Sequence, residues 1–509
     1  MLRFNVPDAG RSDSPFALRN AYLIGANANA IRGDIRLEDG TVLCEKREAG
    51  AVALALQYEA GDCGELTLQT CLLPEREEPY LLSLELARHQ LMVIYSKMED
   101  WAMFELGTGH RAMKRTAVAR KLFIEALCQQ SGEPASADKN AHDALVAAID
   151  GAEELALAHS ELLLNRRKLN GHMPRFPIGC GLSIQHSHDR VRSGLTNHFD
   201  FVNLPLSWRL LAPEEGEYRW AIFDQWVEWI GRSRVPAVAG PIISFEPSLV
   251  PDWLYIWEHD FDTLRDLIYE HVEKLVSRYS SVISTWNVIS GLHVNNHFTF
   301  SFDQIMDLSR MTVMLVKKTQ PSAKALVEVR QPFGEYYATN PKSIPPVMYG
   351  DLLVQGAIPF DGIVLKLLLG QALPSQYTRD LMQISDLLDQ FAATNKPLTL
   401  SVAVPSEPVT PATDHLPHEQ PQPDPNCGHW RKPWSAQVQS HWFEAMVQIA
   451  LSKPYIDSIA WNEITDHDES ELPCGGLIGP DMQPKAALRR LVAMRKALAE
   501  QPVYSTSDP

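Results

Sequence analysis

The segment TrpAsnValIleSerGly (286–291) ends an apolar run that begins at residue 274. The run predicts the end of a helix, a short polar break and a β-rich stretch, which is one helix–strand step of an α/β barrel. In such barrels the functional side chains lie at the C-terminal ends of the strands. We therefore expect Asn287 and His293 at the barrel mouth. No Asp or Glu occurs between Trp286 and Asn296, so this strand end supplies no carboxylate.

The amino-acid composition limits the classes of protein to which this chain can belong. The chain has 509 residues, of which 45% are hydrophobic and 21% charged, enough for two or three folded cores. Its formal net charge of -17 argues against nucleic acid or an anionic membrane as the main partner. The sequence contains no apolar run long enough for a transmembrane helix and no apolar signal core in its first ten residues. We therefore predict a cytoplasmic protein.

Cysteine usage is also typical of a cytoplasmic protein. The seven cysteines are scattered, odd in number and without CxxC spacing. This pattern predicts reduced thiols rather than a disulfide framework or a zinc site. We expect neither a cofactor nor a metal.

The N-terminal region, residues 1–105, predicts a small antiparallel β-sandwich. Short runs at 21–25, 34–38, 51–58 and 65–73 alternate between apolar and polar residues and are separated by glycine-containing turns. The segment 81–88 either continues this sheet or begins a helix. Residues 106–170 are rich in Ala, Leu and Glu with a period near 3.6 and predict a helical hairpin that joins two domains.

Residues 171–500 alternate strand and helix patterns and predict a (β/α)8 barrel, because continuous apolar strands suit a parallel sheet that is buried on both faces. The predicted strands are 178–183, 199–205, 237–245, 282–289, 324–329, 362–369, 398–404 and 458–463.

A Pro-rich loop, residues 404–434, follows the seventh predicted strand. Its prolines exclude helix and central strand, and a long loop on the active face of a barrel is functional or disordered. Trp430 and Trp434 predict that its end is ordered. The last residues, 501–509, are predicted to be a disordered tail.

Four segments make residues 176–498 resemble glycoside hydrolase family 10, the xylanase family. They are 199–220, which contains Trp208 before a ProGluGluGlyGluTyr turn; 239–254, with AlaGlyProIleIleSer and ValProAspTrpLeu; 271–289; and 461–488, with TrpAsnGluIleThrAsp and ProLysAlaAla. The resemblance implies a TIM barrel and β-1,4-glycan hydrolysis. By analogy alone, the N-terminal region resembles a carbohydrate-binding module.

The family's chemistry needs two carboxylic acids on opposite sides of the sugar. The resemblance places the acid/base glutamate at Gly291 and the nucleophile glutamate at or near Val402. Glycine and valine can neither transfer a proton nor attack carbon. The family's double displacement is therefore not supported by this sequence.

Three other carboxylates are predicted near the mouth and are candidate substitutes for an acid/base pair: Glu246, Glu328 and Glu463. The alternative is that they form ion pairs, such as Glu328 with Arg330 or Lys366, and hold loops in place. Lys366 lies in an apolar strand, where an unpaired charge is costly, so a buried Lys–Glu pair is expected.

Aromatic and polar residues at the strand ends are candidate sugar-binding groups, because aromatic faces stack on sugar rings. Trp286 and Trp461 are the leading candidates for stacking, since they match family positions. The full set is Trp208, Trp286, Asn287, His293, Arg330, Trp434, Trp461 and Asp466. HisValAsnAsnHis (293–297) follows a strand and has no adjacent carboxylate, which disfavours a metal site.

Three functions remain open from the sequence. The first is a degenerate, sugar-binding barrel whose partner is an oligosaccharide or polysaccharide. The second is an active glycosidase with a relocated carboxylate pair. The third is a structural or assembly protein that contacts a protein partner or itself through the N-terminal domain or the helical hairpin.

Overall fold

A computed structural model describes residues 1–7, 16–47, 49–185, 189–409 and 426–499. The predicted tail and the middle of the Pro-rich loop, residues 410–425, lie outside the described residues.

The N-terminal strands form two small sheets. They are β1 (Leu2–Asn5), β2 (Tyr22–Ile24), β3 (Ala30–Ile31), β4 (Gly33–Glu38), β5 (Thr41–Lys46), β6 (Ala53–Glu59), β7 (Gly64–Gln69) and β8 (Tyr80–Leu81). The first sheet has the order β4-β5-β1-β8, and its β1–β8 pair is parallel. The second contains β7-β6-β2-β3 in antiparallel pairs. Apolar residues of both sheets, such as Phe4 and Leu56, share one core.

Three helices follow: α1 (Leu82–Asp100), α2 (Arg111–Gln129) and α3 (Pro134–Leu169). The segment 81–88 therefore begins a helix. Its apolar residues do not reveal the helical period, because residues 82–87 are all buried. Residues 106–170 contain α2 and α3, which pack on each other, and α1 packs on α3 beside α2.

The remaining strands are β9 (Ile178–Gly181), β10 (Phe201–Leu204), β11 (Ala237–Ala239), β12 (Ile243–Ser244), β13 (Thr285–Ser290), β14 (Lys324–Val329), β15 (Gly362–Leu368), β16 (Leu398–Ala403), β17 (His429–Trp430) and β18 (Ile456–Trp461). The remaining helices are α4 (Asp189–His198), α5 (Trp208–Leu211), α6 (Ala221–Ser233), α7 (Phe261–Tyr279), α8 (Phe302–Thr319), α9 (Pro346–Gln355), α10 (Leu381–Ala392), α11 (Ala436–Ser452) and α12 (Ala486–Ala499).

All of these strands except β17 belong to one sheet, which closes on itself. Neighbouring strands are parallel in the order β11-β10-β9-β18-β16-β15-β14-β13, and β11 pairs with β13 to complete the ring. β12 continues the third strand beside β13. The prediction of a (β/α)8 barrel is confirmed, and each of the eight predicted runs contains a barrel strand.

Helix ends in the barrel follow local sequence signals. Ser301 caps α8 in a capping box with Gln304, and Asp260 and Asp380 cap α7 and α10 through side-chain oxygens. Such caps satisfy amide hydrogens that the first helical turn leaves unpaired. They fix where each helix begins relative to the strand before it.

A strand from the Pro-rich loop joins the barrel to the N-terminal sheet. β17 pairs antiparallel with β7, with His429 opposite Glu65 and Trp430 opposite Gly64. Only glycine fits at position 64, where a Cβ would lie 2.2 Å from the His429 carbonyl oxygen. The end of the loop is thus ordered. Through this strand, the N-terminal region before the predicted boundary at residue 105 is hydrogen-bonded to the loop that follows the seventh barrel strand.

The seven cysteines are all free thiols. No helix in the described part of the chain is long and apolar enough to cross a membrane.

Candidate functional site

The candidate site lies in the part of the barrel mouth where β13, β14, β15 and β18 end. Glu328 on β14 is 4% exposed and is register partner of Ser290 on β13. Ser290 Oγ donates to Glu328 Oε1 at 2.6 Å, and Asn287 Nδ2 donates to Oε2 at 2.7 Å. Both oxygens of this carboxylate are therefore occupied by donors from the neighbouring strand.

The centre of the mouth is an ion-pair network around Glu471, in the loop after β18. Arg330 Nη2 lies 2.6 Å from Glu471 Oε1, and Lys366 pairs with the other oxygen. Arg330 Nε also lies 3.4 Å from Glu246. Burial raises the pKa of Glu471, but Arg330 and Lys366 outweigh it and lower that pKa to about 2. One loop carboxylate thus pairs with two cations of the barrel.

The expected Lys–Glu pair exists, but its partner was not predicted. Lys366 pairs with Glu471 rather than with Glu328. The sequence did indicate another possible partner, because a carboxylate-rich segment, 466–471, follows the eighth strand. The eighth strand and the strand that carries Lys366 both end at the barrel mouth.

Glu463 and Asp466 hold the loop after β18 in place. Glu463 Oε1 accepts from Ser183 Oγ at 3.2 Å and pairs with His467. Asp466 pairs with Lys485 and accepts from the Gly476 amide at 2.6 Å. Burial lowers the pKa of His467, whereas Glu463 raises it, and the net shift is upward. These contacts give both carboxylates a role in positioning this loop.

The predicted stacking tryptophans lie in the core. Trp286 and Trp461 are 0% exposed. Trp286 Nε1 donates to Gln320 at the end of α8, and Trp461 packs edge-on against Phe443 of α11. Both indoles face the helix layer, so neither has a face open to a sugar in this structure.

Two other predicted tryptophans are also covered. Trp208 is 3% exposed and stacks on His271, and Trp434 is 4% exposed with Nε1 bonded to the Gly428 carbonyl. They pack the rim of the barrel in this structure.

The His293 ring is fully buried. It stacks on Tyr349 and contacts the Arg330 carbonyl through Nε2 at 3.0 Å. Burial lowers its pKa to about 3, which keeps the ring neutral. Asn295, two residues on, is buried and bonds the carbonyl oxygens of Phe300 and Lys342. This segment shapes the loop after β13.

Gly291 and Val402 are the positions at which the family resemblance expects the catalytic glutamates. Gly291 has φ 67°, and a Cβ there would lie 2.8 Å from Arg330 Cδ. Val402 is 0% exposed. Its neighbour Ser401 is register partner of Lys366 and so shares the interior face with it, while Val402 faces the helices.

A small depression lies beside this network. Its floor includes Ser290 and Gly291, and Glu246, Asn296 and His297 line it together with Phe245 and Phe300. The depression therefore combines hydrogen-bonding groups with aromatic rings.

The fold and the mouth define a TIM-barrel protein. No family model matches the chain, and no curated protein matches it. Solved structures of family 10 xylanases do match. Xylanase 10B from Thermotoga maritima is 14% identical, covers 66% of this chain and 98% of its own, and has a TM-score of 0.47.

Two further xylanase structures match this chain at a similar level. Xylanase B from Clostridium stercorarium F9 is 14% identical, with 62% and 96% coverage of this chain and its own and a TM-score of 0.47. Xylanase10C from Cellvibrio japonicus, in complex with xylopentaose, is 13% identical, with 65% and 68% coverage and a TM-score of 0.46. At this level of similarity, the barrel assignment depends on the strand order of this chain itself, and the chemistry of the mouth on its own side chains.

Proposed function

We propose that this protein is a non-hydrolytic carbohydrate-binding protein built on a (β/α)8 barrel. The observation that carries the proposal is at Gly291. The side chain of Arg330, held by Glu471 and Glu246, occupies the space that an acid/base glutamate at this position would need. The positive φ of Gly291 disfavours any other residue there.

Three of the remaining carboxylates support binding over cleavage. Hydrolysis by a carboxylate pair needs one group able to donate a proton and another able to activate or attack across an open cleft. Glu328, Glu463 and Glu471 are each engaged by two donors from the protein. These contacts favour a structural role for all three.

The depression next to Gly291 supports sugar as the ligand. Asn296, His297 and Glu246 offer donors and acceptors to hydroxyl groups, and Phe245 and Phe300 offer apolar surface. Asn296 is exposed, so it is the group best placed for a first contact. The sequence resemblance makes β-1,4-linked oligosaccharides the ligands to test first.

The test is isothermal titration of the purified protein with xylo- and cello-oligosaccharides, with the same mixtures followed overnight for new reducing ends. We expect binding without cleavage, and roughly tenfold weaker binding in Asn296→Ala. Cleavage that is lost in Glu328→Gln or Glu463→Gln would instead establish a relocated catalytic pair. Gln437→Leu, on the outer face of α11, is the control variant.

A second candidate, a protein-contact role, is favoured by the surface of α2. Ile124 is 52% and Leu127 37% exposed. They lie three residues apart and share one face of the helix, and neighbouring exposed apolar groups mark contact sites. Light scattering of the full chain over a concentration series tests this candidate. A monomer at all concentrations would leave only a contact with a different protein.

A further inference from the structure

The strand β4 forms an exposed edge of the N-terminal domain. It lies at one end of the sheet β4-β5-β1-β8, and all of its residues are exposed except Ile35, which is partly buried. It pairs with β5 along its whole length, from Gly33 opposite Lys46 to Glu38 opposite Thr41. Within the described part of the chain no strand pairs with its other side, which leaves backbone groups to which a further strand can bind.

The direction of these backbone groups follows from the turn after β4. Asp39 and Gly40 have positive φ values of 46° and 73°, as a two-residue hairpin turn requires. The residues that flank such a turn form a hydrogen-bonded pair. The Val6 amide donates to the Gly40 carbonyl oxygen at 2.9 Å, which gives the same alternation, because it turns the even-numbered residues of β5 towards β1. Every second residue of β4, beginning with Gly33, therefore points its backbone groups to the open edge.

A second copy of β4 is complementary to this edge in one antiparallel register. Hydrogen-bonded pairing requires outward-pointing residues to lie opposite each other. Pairing centred on Ile35 meets this requirement and places Asp34 opposite Arg36 of the second copy. It also places Arg32, the residue before β4, opposite Glu38. Two-fold symmetry repeats both pairs, and opposite charges that face each other across strands are stabilising.

The neighbouring registers bring like charges together. Pairing centred on Arg36 places Arg36 opposite itself and Asp34 opposite Glu38. Pairing centred on Asp34 places Asp34 opposite itself and Arg32 opposite Arg36. Like charges directly opposite are destabilising. Charges on an edge strand commonly prevent association, but the alternating signs along residues 32–38 do so in these registers and favour pairing in the one centred on Ile35.

The charges that this pairing needs are available. Arg32 and Asp34 have no ion-pair partner among the residues that the structure describes. Arg36 lies 2.9 Å from Glu38 and from Glu45, and its side chain is 46% exposed. Such surface pairs are weak, so a carboxylate of the second copy can join Arg36 without breaking a strong contact.

The other face of β4 supplies apolar contact. Leu37 is 37% exposed, and Ile35 packs partly against the core of the N-terminal sheets. In the register centred on Ile35, this residue lies opposite its own copy and Leu37 is its diagonal neighbour, within reach for packing. Gly33 lies opposite Leu37 and has no side chain, which leaves room for the leucine.

We infer that β4 pairs with β4 of a second copy of this chain, so that the two four-stranded sheets join into one across a two-fold axis at Ile35. The edge is short, and the interface lies at the low end of the area that stable complexes bury. The expected product is therefore a weak dimer that forms at high micromolar concentration. The barrel mouth takes no part in this contact, so the dimer does not depend on the proposed sugar binding.

The test is sedimentation equilibrium of the full chain over a concentration series, with charge variants of β4. We expect Asp34→Arg and Arg36→Asp each to weaken the dimer roughly tenfold, because each places like charges opposite each other. The double variant, Asp34→Arg with Arg36→Asp, restores opposite signs and should recover the dimer. Leu37→Pro removes an amide that points to the open edge, where proline is tolerated, and should abolish the dimer. Circular dichroism checks that each variant is folded.

The control separates this contact from the α2 surface. Ile124→Ser on α2 should leave the β4 dimer unchanged. A dimer that is lost in Ile124→Ser and insensitive to the β4 variants would overturn the inference, and so would a double variant that fails to recover the dimer. A monomer at all concentrations would exclude a second copy as the occupant of this edge.

Discussion

Arg330 Nη2 lies 2.6 Å from Oε1 of Glu471, which ties the end of the fifth barrel strand to the loop after the eighth. The same carboxylate also pairs with Lys366 at the end of the sixth strand. Two cations at one mouth would repel each other, and a shared carboxylate offsets part of that repulsion. The network explains why the loop after β18 is fixed over the mouth.

Glu471→Ala is predicted to destabilise the protein. It leaves Arg330, 7% exposed, and Lys366 without their shared partner. The expected loss is roughly 2–4 kcal/mol in the free energy of unfolding, below that for a fully buried pair because the Glu471 side chain is 30% exposed. Urea unfolding followed by tryptophan fluorescence measures it. The control is Glu469→Ala in the same loop, and an equal loss there would contradict the assignment.

The acid side of the stability profile should also depend on Glu471. Its folded-state pKa of about 2 lies below the unfolded value of about 4.3. A lowered carboxyl pKa stabilises the fold at pH values above the unfolded pKa, and this contribution is lost as the pH falls through the folded pKa. As the pH falls from about 4.3 to 2, the parent protein should therefore lose this contribution to stability. Glu471→Gln lacks the contribution and should lose less stability over the same range. Parallel profiles for the two proteins in this window would refute the prediction.

Gly291 provides a test of the reason why the family's acid/base residue is missing. Gly291→Ala combines a strained φ of 67° with a Cβ 2.8 Å from Arg330 Cδ. Gly216 has a φ of 79° with nothing within 4 Å of its Cβ, so Gly216→Ala isolates the backbone cost of about 1–2 kcal/mol.

We expect the loss in Gly291→Ala to exceed that in Gly216→Ala by roughly 1 kcal/mol or more. We also expect Gly291→Glu to release no reducing ends from xylan. If Gly291→Glu folds normally and cleaves xylan, the space at this position is not closed by Arg330.

The barrel could be predicted from the sequence because each strand is a continuous apolar run. The same continuity hides which side chains face the axis. In a strand buried on both faces, the pattern around Trp461 and Val402 does not distinguish the barrel interior from the helix layer. Trp286 and Trp461 accordingly matched family positions in sequence and yet face α8 and α11.

The partner of Lys366 could be predicted in kind but not in identity. Burial of a lysine in an apolar strand requires a carboxylate nearby, and that follows from the local sequence. Glu471 is 105 residues further along the chain, in a loop without a regular pattern. Its choice over Glu328 depends on tertiary packing, where Ser290 and Asn287 already occupy Glu328.

His467 should give the opposite dependence on pH from that of Glu471. Glu463 raises the pKa of His467 above its usual value despite the effect of burial. A raised histidine pKa stabilises the fold fully below the unfolded pKa of about 6.5, and this contribution is lost as the pH rises through the folded pKa. Stability should therefore decline on the alkaline side of pH 6.5, and this decline should shrink in Glu463→Gln. NMR titration of the His467 ring measures the pKa itself, and a value at or below 6.5 would contradict the pairing.

Glu153 should be central to the attachment of the helical unit to the barrel. It is 1% exposed on α3, accepts from Trp430 Nε1 at 2.8 Å and from the Leu381 amide at 3.0 Å, and pairs with Arg431. Glu153→Ala leaves Trp430 Nε1 and the Leu381 amide without an acceptor and leaves Arg431 paired with Asp150, and the expected loss is roughly 3 kcal/mol.

The neighbouring Glu154→Ala is the matched control for this prediction. Glu154 pairs with Arg111, whose side chain is 61% exposed, and such pairs contribute about 0–1 kcal/mol. Limited proteolysis adds a local readout, since loss of Glu153 should expose the segment that contains β17 before the barrel itself unfolds. Equal stability of the two variants would show that β17 and the apolar core hold the helical unit in place without this carboxylate.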